Sequence, residues 1–204
     1  MRFRYGPLPD VEDFRPCGGR VWSKVEEPSF WTLQAIGLLV TACMAVPVWL
    51  LFAGSCGPDP GAAEVLEQRI LVMGIGLPLC LPVHELLHMF VHPGAGRRNA
   101  SVLGFWPDTF SFYAAWTGEW SRERFIVCLL APALVVTSGL FLLQLHAPSS
   151  AVTALACFHL LACSVDVVGV LLLLFKVPAG ARIRNKGWDT YWRPGTVEGV
   201  VGGR

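Results

Sequence analysis

The chain has 204 residues, of which 53% are hydrophobic and 15% are charged, and its formal net charge is +1. Its mean hydropathy of +0.52 is far above that of an ordinary soluble domain, so the composition excludes that class and indicates a membrane protein. The first 29 residues are mostly polar, and no cleavable signal peptide is expected.

Four segments are long and apolar enough to cross a hydrocarbon core as helices: residues 30–53, 70–91, 125–145 and 151–175. At ~1.5 Å of rise per residue, the first extends about 36 Å, which is enough to cross with some tilt. The expected fold class is therefore an all-α, multi-pass membrane protein with four transmembrane helices. Residues 1–29 form an N-terminal segment without a recognisable motif, and residues 176–204 form a polar tail at the interface or in the cytoplasm.

Basic residues cluster on one side of these four spans. Of the 16 Lys and Arg residues, five precede the first span, four lie between the second and third, and six follow the fourth, which leaves only Arg69 for the opposite side. By the positive-inside rule, both termini and the loop between the second and third spans are expected in the cytoplasm. The clusters are interpreted as topology signals, with no nucleic-acid partner expected; binding to lipid headgroups or nucleic acid is the alternative.

The seven cysteines add little chemistry at this stage. Their number is odd, no CxxC pair occurs, and five of them fall within the apolar spans, so they are predicted to be free, reduced core residues. They are Cys17, Cys43, Cys56, Cys80, Cys128, Cys157 and Cys163.

The second span contains the stretch LPVHELLHMFVHPG, residues 81–94, with ionisable side chains in an apolar run. Such a group at bilayer depth costs ~2.5–3.5 kcal/mol even on a lenient insertion scale, so it normally has a partner or a function. His84 and His88 are four residues apart and lie on one helical face, where two imidazoles can share a metal ion. Glu85 lies beside them without being obliged to ligate, as in the HExxH pattern of zinc proteases. The alternative is a buried polar pair that ties helices together.

A catalytic zinc ion needs a third protein ligand, and two candidates are present. His92 continues the series, but on an unbroken helix it lies ~12 Å along the axis from His84, so it is interpreted as an interfacial residue at the helix end. Asp166 is the only acidic residue of the fourth span. Counted from the cytoplasmic span ends at ~1.5 Å per residue, His84, His88 and Asp166 lie at roughly 10, 5 and 13 Å, which is one depth within boundary error. We therefore expect a site of two histidines and Asp166.

Peptide hydrolysis is the chemistry that such a site favours. Zinc lowers the pKa of water to ~7, and Glu85 is placed to take the proton of that water and return it to the leaving amine. His159 lies seven residues before Asp166 on the same helical face, where it is a candidate for supporting a ligand or contacting substrate. The alternative for His159 is hydrogen-bonded packing.

The loop of residues 100–120 is too short and too interrupted to cross the membrane. Its TFSFY stretch alternates, Pro107 marks a turn and Gly104 loosens the first arm, which together predict a β-hairpin at the membrane face. An exposed strand edge there is suited to pair with an extended substrate, because a helical substrate hides its peptide bonds. The alternative is an aromatic loop that anchors at the interface.

The sequence resembles the membrane-embedded zinc metalloproteases of the site-2 protease type, and more specifically the small four-span proteins called putative zincin peptidases. The resemblance covers residues 70 to about 180 and lies in HELLHMF, SRERFIVCLLAP and HLLACSVDVVGVLLLLFKVP. It implies a zinc cofactor held by His84, His88 and Asp166, with Glu85 as the catalytic base. The asparagine and the Asp-Gly pair that many site-2 proteases carry around the third ligand are absent, because Val167 follows Asp166. The resemblance therefore names no residue that stabilises the oxyanion.

Three classes of function follow from these features. The favoured class is an intramembrane zinc metalloprotease that acts on membrane-embedded or membrane-proximal proteins or peptides, with the lipid bilayer as its surroundings. The second is a non-catalytic zinc-binding scaffold or adaptor, which would not need Glu85 once the metal is bound. A membrane di-iron hydroxylase or desaturase is disfavoured, because such sites need many more histidines than the five present. The sequence leaves the substrate and the oligomeric state open.

Overall fold

A computed structural model describes residues 1–11, 13–16, 21–53, 66–67, 70–109 and 111–195. Cys17, Cys56, Arg69 and the end of the polar tail, residues 196–204, lie outside the described residues. The five described cysteines are free, as the sequence predicts.

Five α-helices form the body of the described chain. They are α1, Phe30–Ala53; α2, Leu77–Val91; α3, Arg122–His146; α4, Ser150–Ala162; and α5, Ser164–Lys176. A π-helical turn, Val72–Gly76, leads into α2. Helix α1 packs against α4 and α5, and α3 packs against α2, α4 and α5. Helix α2, which contains HELLH, therefore packs against both α3 and α4.

Three helical stretches of the described chain are long and apolar enough to cross a membrane: Trp31–Phe52, Gly74–Val91 and Arg122–His146. The predicted fourth span, residues 151–175, is corrected to two helices, α4 and α5, which are bent by 41° at Cys163. It counts as a span only if the bent pair is taken together. The Ser164 hydroxyl donates to the carbonyl of Leu161 over 2.7 Å, a local bond that competes with the regular helical pattern at the break.

Two small β-sheets lie at one end of the bundle. The first has the order β1–β3–β4, with strands Arg2–Tyr5, Ser101–Trp106 and Ser111–Trp116. The second has the order β2–β7–β6–β5, with strands Ser23–Lys24, Asp189–Arg193, Arg182–Lys186 and Trp120–Ser121. The predicted hairpin is confirmed as the antiparallel β3–β4 pair, joined by a 3-10 turn at Pro107–Thr109.

The expectation of an all-α fold is corrected by the strands that the two terminal segments supply. Strand β1 pairs in parallel with β3, matching Arg2 with Val102, and β7 pairs with β2, matching Trp192 with Ser23. Strands β2 and β5 have two residues each, which is too short for an alternating pattern to be visible in the sequence. The pairings join distant parts of the chain, so no local signal announces them.

Gly104 has a steric role in the hairpin. It lies opposite Tyr113 in the β3–β4 register, and a Cβ added at Gly104 would come within 2.2 Å of the Tyr113 ring. The ring therefore crosses the strand, and its hydroxyl donates to the carbonyls of Gly6 and Pro7, each over 3.1 Å. This contact holds the N-terminal segment against strand β4.

Two arginines at the start of α3 connect the ends of α2 and α5. Arg122 donates to the carbonyl of Leu173 over 3.2 Å, and Arg124 donates to the carbonyls of Val91 and His92 over 2.8 and 3.1 Å. The last carbonyls of a helix have few partners within it, the Leu173 carbonyl accepting only the capping N–H of Val177, and a guanidinium offers several donors in a fixed geometry. The arginines therefore hold the ends of α2 and α5 at a common level.

A shared core joins the sheets to the helices. Its buried members are Val25, Trp116, Trp120, Cys128, Leu173, Val177, Ala181 and Ile183. They come from both sheets and from α3 and α5, so burial of their apolar surface fixes the sheets against the bundle. The described parts of both termini and the α2–α3 connection thus meet at the end of the bundle where α2 finishes.

Candidate metal centre

Helix α2 places His84 and His88 one turn apart on its buried face. Both side chains are buried, and their Nε2 atoms lie 3.1 Å apart. Pro93 disfavours a helical conformation at the residue before it. Helix α2 therefore ends at Val91, with His92 as its C-cap. Because their Nε2 atoms are only 3.1 Å apart, the two rings face one point within the bundle.

Asp166 brings a carboxylate to the same point from α5. Its Oδ2 lies 3.1 Å from Nε2 of His84 and 3.5 Å from Nε2 of His88. The residue lies in the first turn of α5, where the positive end of the helix dipole favours a negative side chain. The break before Ser164 is what puts a helix N-terminus at this depth, and the sequence alone did not predict it.

The three atoms have the spacing that a zinc ion requires. A tetrahedral zinc ion with N and O ligands at ~2.0–2.2 Å separates its donor atoms by ~3.3–3.6 Å. The observed separations of 3.1, 3.1 and 3.5 Å match this triangle to within about 0.2 Å. Asp166 Oδ2 is buried and accepts no hydrogen bond of acceptable geometry from the described residues, despite the short distance to His84. The donor set therefore fits a zinc ion, with a buried acceptor that such an ion would satisfy.

Hydrogen bonds on the outer side of each ring set the orientation of the histidines. His88 Nδ1 donates to the carbonyl of Cys128 over 2.8 Å, so its Nε2 is left as the free acceptor. His84 Nδ1 lies 3.4 Å from Nε2 of His159, which is 1% exposed. His159, predicted to support a ligand or to contact substrate, thus lies beside the candidate ligand His84.

Glu85 lies next to the donor triangle. One of its carboxylate oxygens is within 4.8 Å of ligand atoms of His84 and His88. The carboxylate also accepts a hydrogen bond from the backbone N–H of Ala114 on β4. Helix α2 packs against this strand, so Glu85 lies between the donor triangle and the edge of the first sheet.

A pocket of about 330 Å³ opens beside the donor triangle. Glu85, His88 and Asp166 line it, together with the whole of strand β4. The N-terminal segment adds a wall through Leu8, and the tail adds Asn185. A larger cavity of about 470 Å³, lined by β1 together with Pro9, Asp10, Val11 and Asp13, lies apart from the histidines and carries no comparable chemistry.

Two pocket residues were not anticipated from the sequence. Asn185 on β6 and Trp120 on β5 each have a buried polar atom, Oδ1 and Nε1, without a hydrogen-bond partner among the described residues. Asn185 lies in a tail without a motif, and no pattern in the sequence could have connected it to the site.

Cys163 lies closer to the site than the sequence predicts. Interpreted from the sequence as a small core residue, it places its Sγ 3.8 Å from Nδ1 of His84. Its spacing of four residues from His159 on α4 was the signal available.

His92 is corrected from an interfacial residue to a buried one. It is 1% exposed, shares a hydrogen bond of 3.2 Å between Nδ1 and the Ser101 hydroxyl, and packs against the rings of Trp116 and Trp120. Burial, together with positive charge nearby, lowers the pKa of His92 to about 4, so its ring is neutral at physiological pH. Residues of both sheets cover it, and its ring contacts are with these sheets rather than with Asp166.

The fold and the site together define the class: a mainly helical protein with a buried set of ligand atoms that suits zinc. The chain belongs to the family described as "putative zincin peptidase", whose family model matches residues 77–182, just over half of the 204 residues. The matched range contains His84, Glu85, His88 and Asp166, and the resemblance seen in the sequence is confirmed at the level of this family. Membership supports a metallopeptidase and implies zinc as the cofactor. Searches of curated proteins and of solved structures found no match.

Proposed function

We propose that the protein is an intramembrane zinc metalloprotease of the site-2 protease type. The observation that carries the proposal is the triangle of His84 Nε2, His88 Nε2 and Asp166 Oδ2 with the Glu85 carboxylate beside it, open to a pocket along β4. Membership of the zincin peptidase family supports peptide hydrolysis rather than another metal-dependent reaction. The long apolar helices support a substrate that is embedded in the membrane or lies close to it.

In this proposal His84, His88 and Asp166 hold the zinc ion. When bound, zinc supplies Lewis-acid activation of water and of the scissile carbonyl. Glu85 accepts the proton of the attacking water on its carboxylate and delivers it to the nitrogen of the leaving amine. The Ala114 N–H orients that carboxylate before substrate arrives.

His159 has a positioning role in the same scheme. Its Nε2 accepts a hydrogen bond from the N–H at Nδ1 of His84, and this tautomer leaves Nε2 of His84 free to bind the metal. The contact is buried, so water does not compete for it. His159 therefore supports a ligand and does not contact substrate.

Strand β4 is the proposed docking edge for substrate. Strand β3 occupies one side of β4, and the N–H of Ala114 on the other side points to Glu85. An extended peptide laid along this free edge would pass between β4 and α2, with its backbone next to the catalytic carboxylate. This arrangement explains why a helical substrate must be unwound locally before it is cut.

We also propose that both termini and the two sheets face the cytoplasm and that the chain crosses the membrane more than once. The support is the excess of Lys and Arg in the segments that meet at this end of the bundle. The pocket then opens toward the cytoplasmic side of the bilayer, because β4 and the N-terminal segment line it.

The decisive experiment compares the wild type with Glu85→Gln in liposomes that contain a tagged single-span substrate. We expect cleavage to fall by about 10²–10⁴-fold in Glu85→Gln, because the amide cannot take a proton at neutral pH, while zinc content stays near that of the wild type. Glu26→Gln, which changes an exposed glutamate outside the pocket, is the matched control and should cleave normally.

Two outcomes contradict the proposal. Cleavage by Glu85→Gln at the wild-type rate would mean that Glu85 is not the base. If the zinc-loaded wild type cleaves nothing across a broad substrate panel, a non-catalytic zinc-binding scaffold replaces the protease as the better explanation.

A further inference from the structure

The second ring nitrogen of His84 faces another group of metal-ligating atoms. His84 Nδ1 lies 3.4 Å from Nε2 of His159 and 3.8 Å from Sγ of Cys163, and the last two atoms are 3.6 Å apart. His159 is 1% exposed and Cys163 is 0% exposed. The donors of Asp166 and His88 lie on the other edge of the His84 ring, at its Nε2.

This second triangle also has the dimensions of a metal site. With Zn–N at ~2.0–2.1 Å and Zn–S at ~2.3 Å, a tetrahedral ion separates two nitrogens by ~3.3 Å and a nitrogen from a sulfur by ~3.5–3.6 Å. The three observed distances lie within about 0.3 Å of these values. Because Cys163 Sγ is also 3.7 Å from Nδ1 of His159, the His159 ring must turn before its Nε2 points at an ion shared with the sulfur. The hydrogen bond between His84 and His159 is long at 3.4 Å and a thiol is a weak donor, so these contacts oppose the exchange of their protons for a metal ion only weakly.

The chemistry of these donors selects the kind of ion. One thiolate and two imidazoles suit a soft or borderline divalent cation with tetrahedral preference, such as zinc or cadmium, and not magnesium or calcium. Helix α4 supplies His159, and its C-cap Cys163 follows four residues later, the same spacing that α2 uses for His84 and His88. The two pairs of ligands therefore face each other across the contact of α2 with α4.

We propose that His84 Nδ1, His159 Nε2 and Cys163 Sγ form a second, lower-affinity site for zinc or cadmium, in which His84 bridges two ions. Binding there replaces the proton on His84 Nδ1 and the thiol proton of Cys163, and both protons leave to solvent. A divalent cation replaces two protons, so the net charge of the buried region does not change, which removes the main cost of placing a second ion in an apolar bundle. The site is additional to the proposed catalytic centre and shares only His84 with it.

The second ion has a consequence for the catalytic centre. It would take His159 away from its role as hydrogen-bond acceptor for His84, so the orientation of that ligand would no longer depend on His159. We therefore expect hydrolysis to slow when zinc is in excess of one equivalent.

The experiment uses the full chain in detergent, loaded with one equivalent of zinc and then titrated with cadmium. We expect a second metal equivalent to bind, with the ultraviolet charge-transfer absorption of a cadmium–thiolate bond. Cys163→Ser should remove the absorption and the second equivalent while keeping the first. Asp166→Ala should show the opposite, with the absorption kept and tight binding of the first equivalent lost. Cys157→Ser changes a half-buried cysteine elsewhere on α4 and should keep both ions.

These variants separate failure of this inference from failure of the proposed function. If the wild type binds a single ion however much cadmium is added, or if Cys163→Ser keeps both the absorption and the second equivalent, there is no second site. If Cys163→Ser instead loses the first, tightly held zinc, then Cys163 belongs to the primary centre and the ligand set of the proposed function is wrong. Loss of the absorption only in Cys128→Ser, whose Sγ lies 3.9 Å from Nδ1 of His88, would transfer the second ion to His88.

Discussion

The buried histidines of α2 lie one turn apart on one helical face, yet the two ends of this row have different surroundings. At His84 and His88 a carboxylate arrives from α5, with its Oδ2 at 3.1 and 3.5 Å from their Nε2 atoms. His92 lines the same pocket as His88, but its neighbours are the Ser101 hydroxyl and the rings of Trp116 and Trp120, and no carboxylate is among them. Residue type and helical spacing are the same throughout, so it is Asp166 on another helix that distinguishes a candidate metal centre from a packed core histidine.

The largest expected effect is on metal content. In Asp166→Ala we expect zinc to fall from about one ion per chain to nearly none, because two imidazoles alone make an incomplete tetrahedral set. His92→Gln is the matched variant at the other end of the row and should keep its zinc. Elemental analysis of the purified proteins decides between them. Full occupancy in Asp166→Ala, or loss of zinc in His92→Gln, would reverse the roles of the two ends.

The next effect is on stability against pH. Burial lowers the pKa of His92 to about 4, whereas an unfolded histidine titrates near 6.5, so the unfolded state binds more protons between these values. Stability is therefore complete above pH ~6.5 and falls as the pH drops toward 4, by ~3 kcal/mol at most. Thermal unfolding of the wild type in detergent should show this decline, and His92→Gln should show a smaller one. An equal decline in both proteins would mean that other groups cause it.

A smaller effect is expected on substrate affinity along β4. Alternate N–H groups of a strand point to the same side, so the backbone N–H of Phe112 points to the same free edge as that of Ala114. Phe112→Pro removes one edge donor, which an edge strand tolerates, and should raise KM roughly fivefold with little change in kcat. Phe112→Ala removes the ring but keeps the N–H, and the difference between the two variants isolates the backbone bond. Equal KM values would argue against pairing of substrate with this edge.

The smallest effect concerns orientation and should leave activity unchanged. A cysteine introduced at Asn99, in the connection between α2 and β3, is expected to react with a membrane-impermeant thiol reagent only from the cytoplasmic side. Labelling from outside would contradict this orientation, because the His92 end of the bundle and both sheets would then face away from the cytoplasm.

The sequence predicts the candidate centre better than it predicts the fold around it. His84, Glu85 and His88 follow from helical spacing, and Asp166 follows from the cost of an isolated carboxylate in an apolar span. The β3–β4 hairpin follows from local alternation and its turn. The remaining strands do not, because β1 pairs residues that are about a hundred positions apart, such as Arg2 and Val102.

The burial of His92 and the grouping of His159 with Cys163 depend on tertiary contacts that no local pattern reveals. His92 is buried by Ser101 and Trp116 of the hairpin together with Trp120 on the two-residue strand β5. Cys163 approaches His84 only because α4 ends there and packs against α2. In both cases the sequence gives the residue type, and the tertiary contact determines its chemistry.

The link from Arg122 and Arg124 to the ends of α5 and α2 has a thermodynamic consequence. A slip of one helical turn between these helices would move Asp166 about 5 Å from the histidines and dismantle the triangle. Because the two guanidiniums fix this register without any metal, folding itself preorganises the ligands, and little conformational entropy remains to be lost when an ion enters. Chelation should then empty the centre and leave the bundle folded, unlike small zinc domains that unfold when their metal is removed.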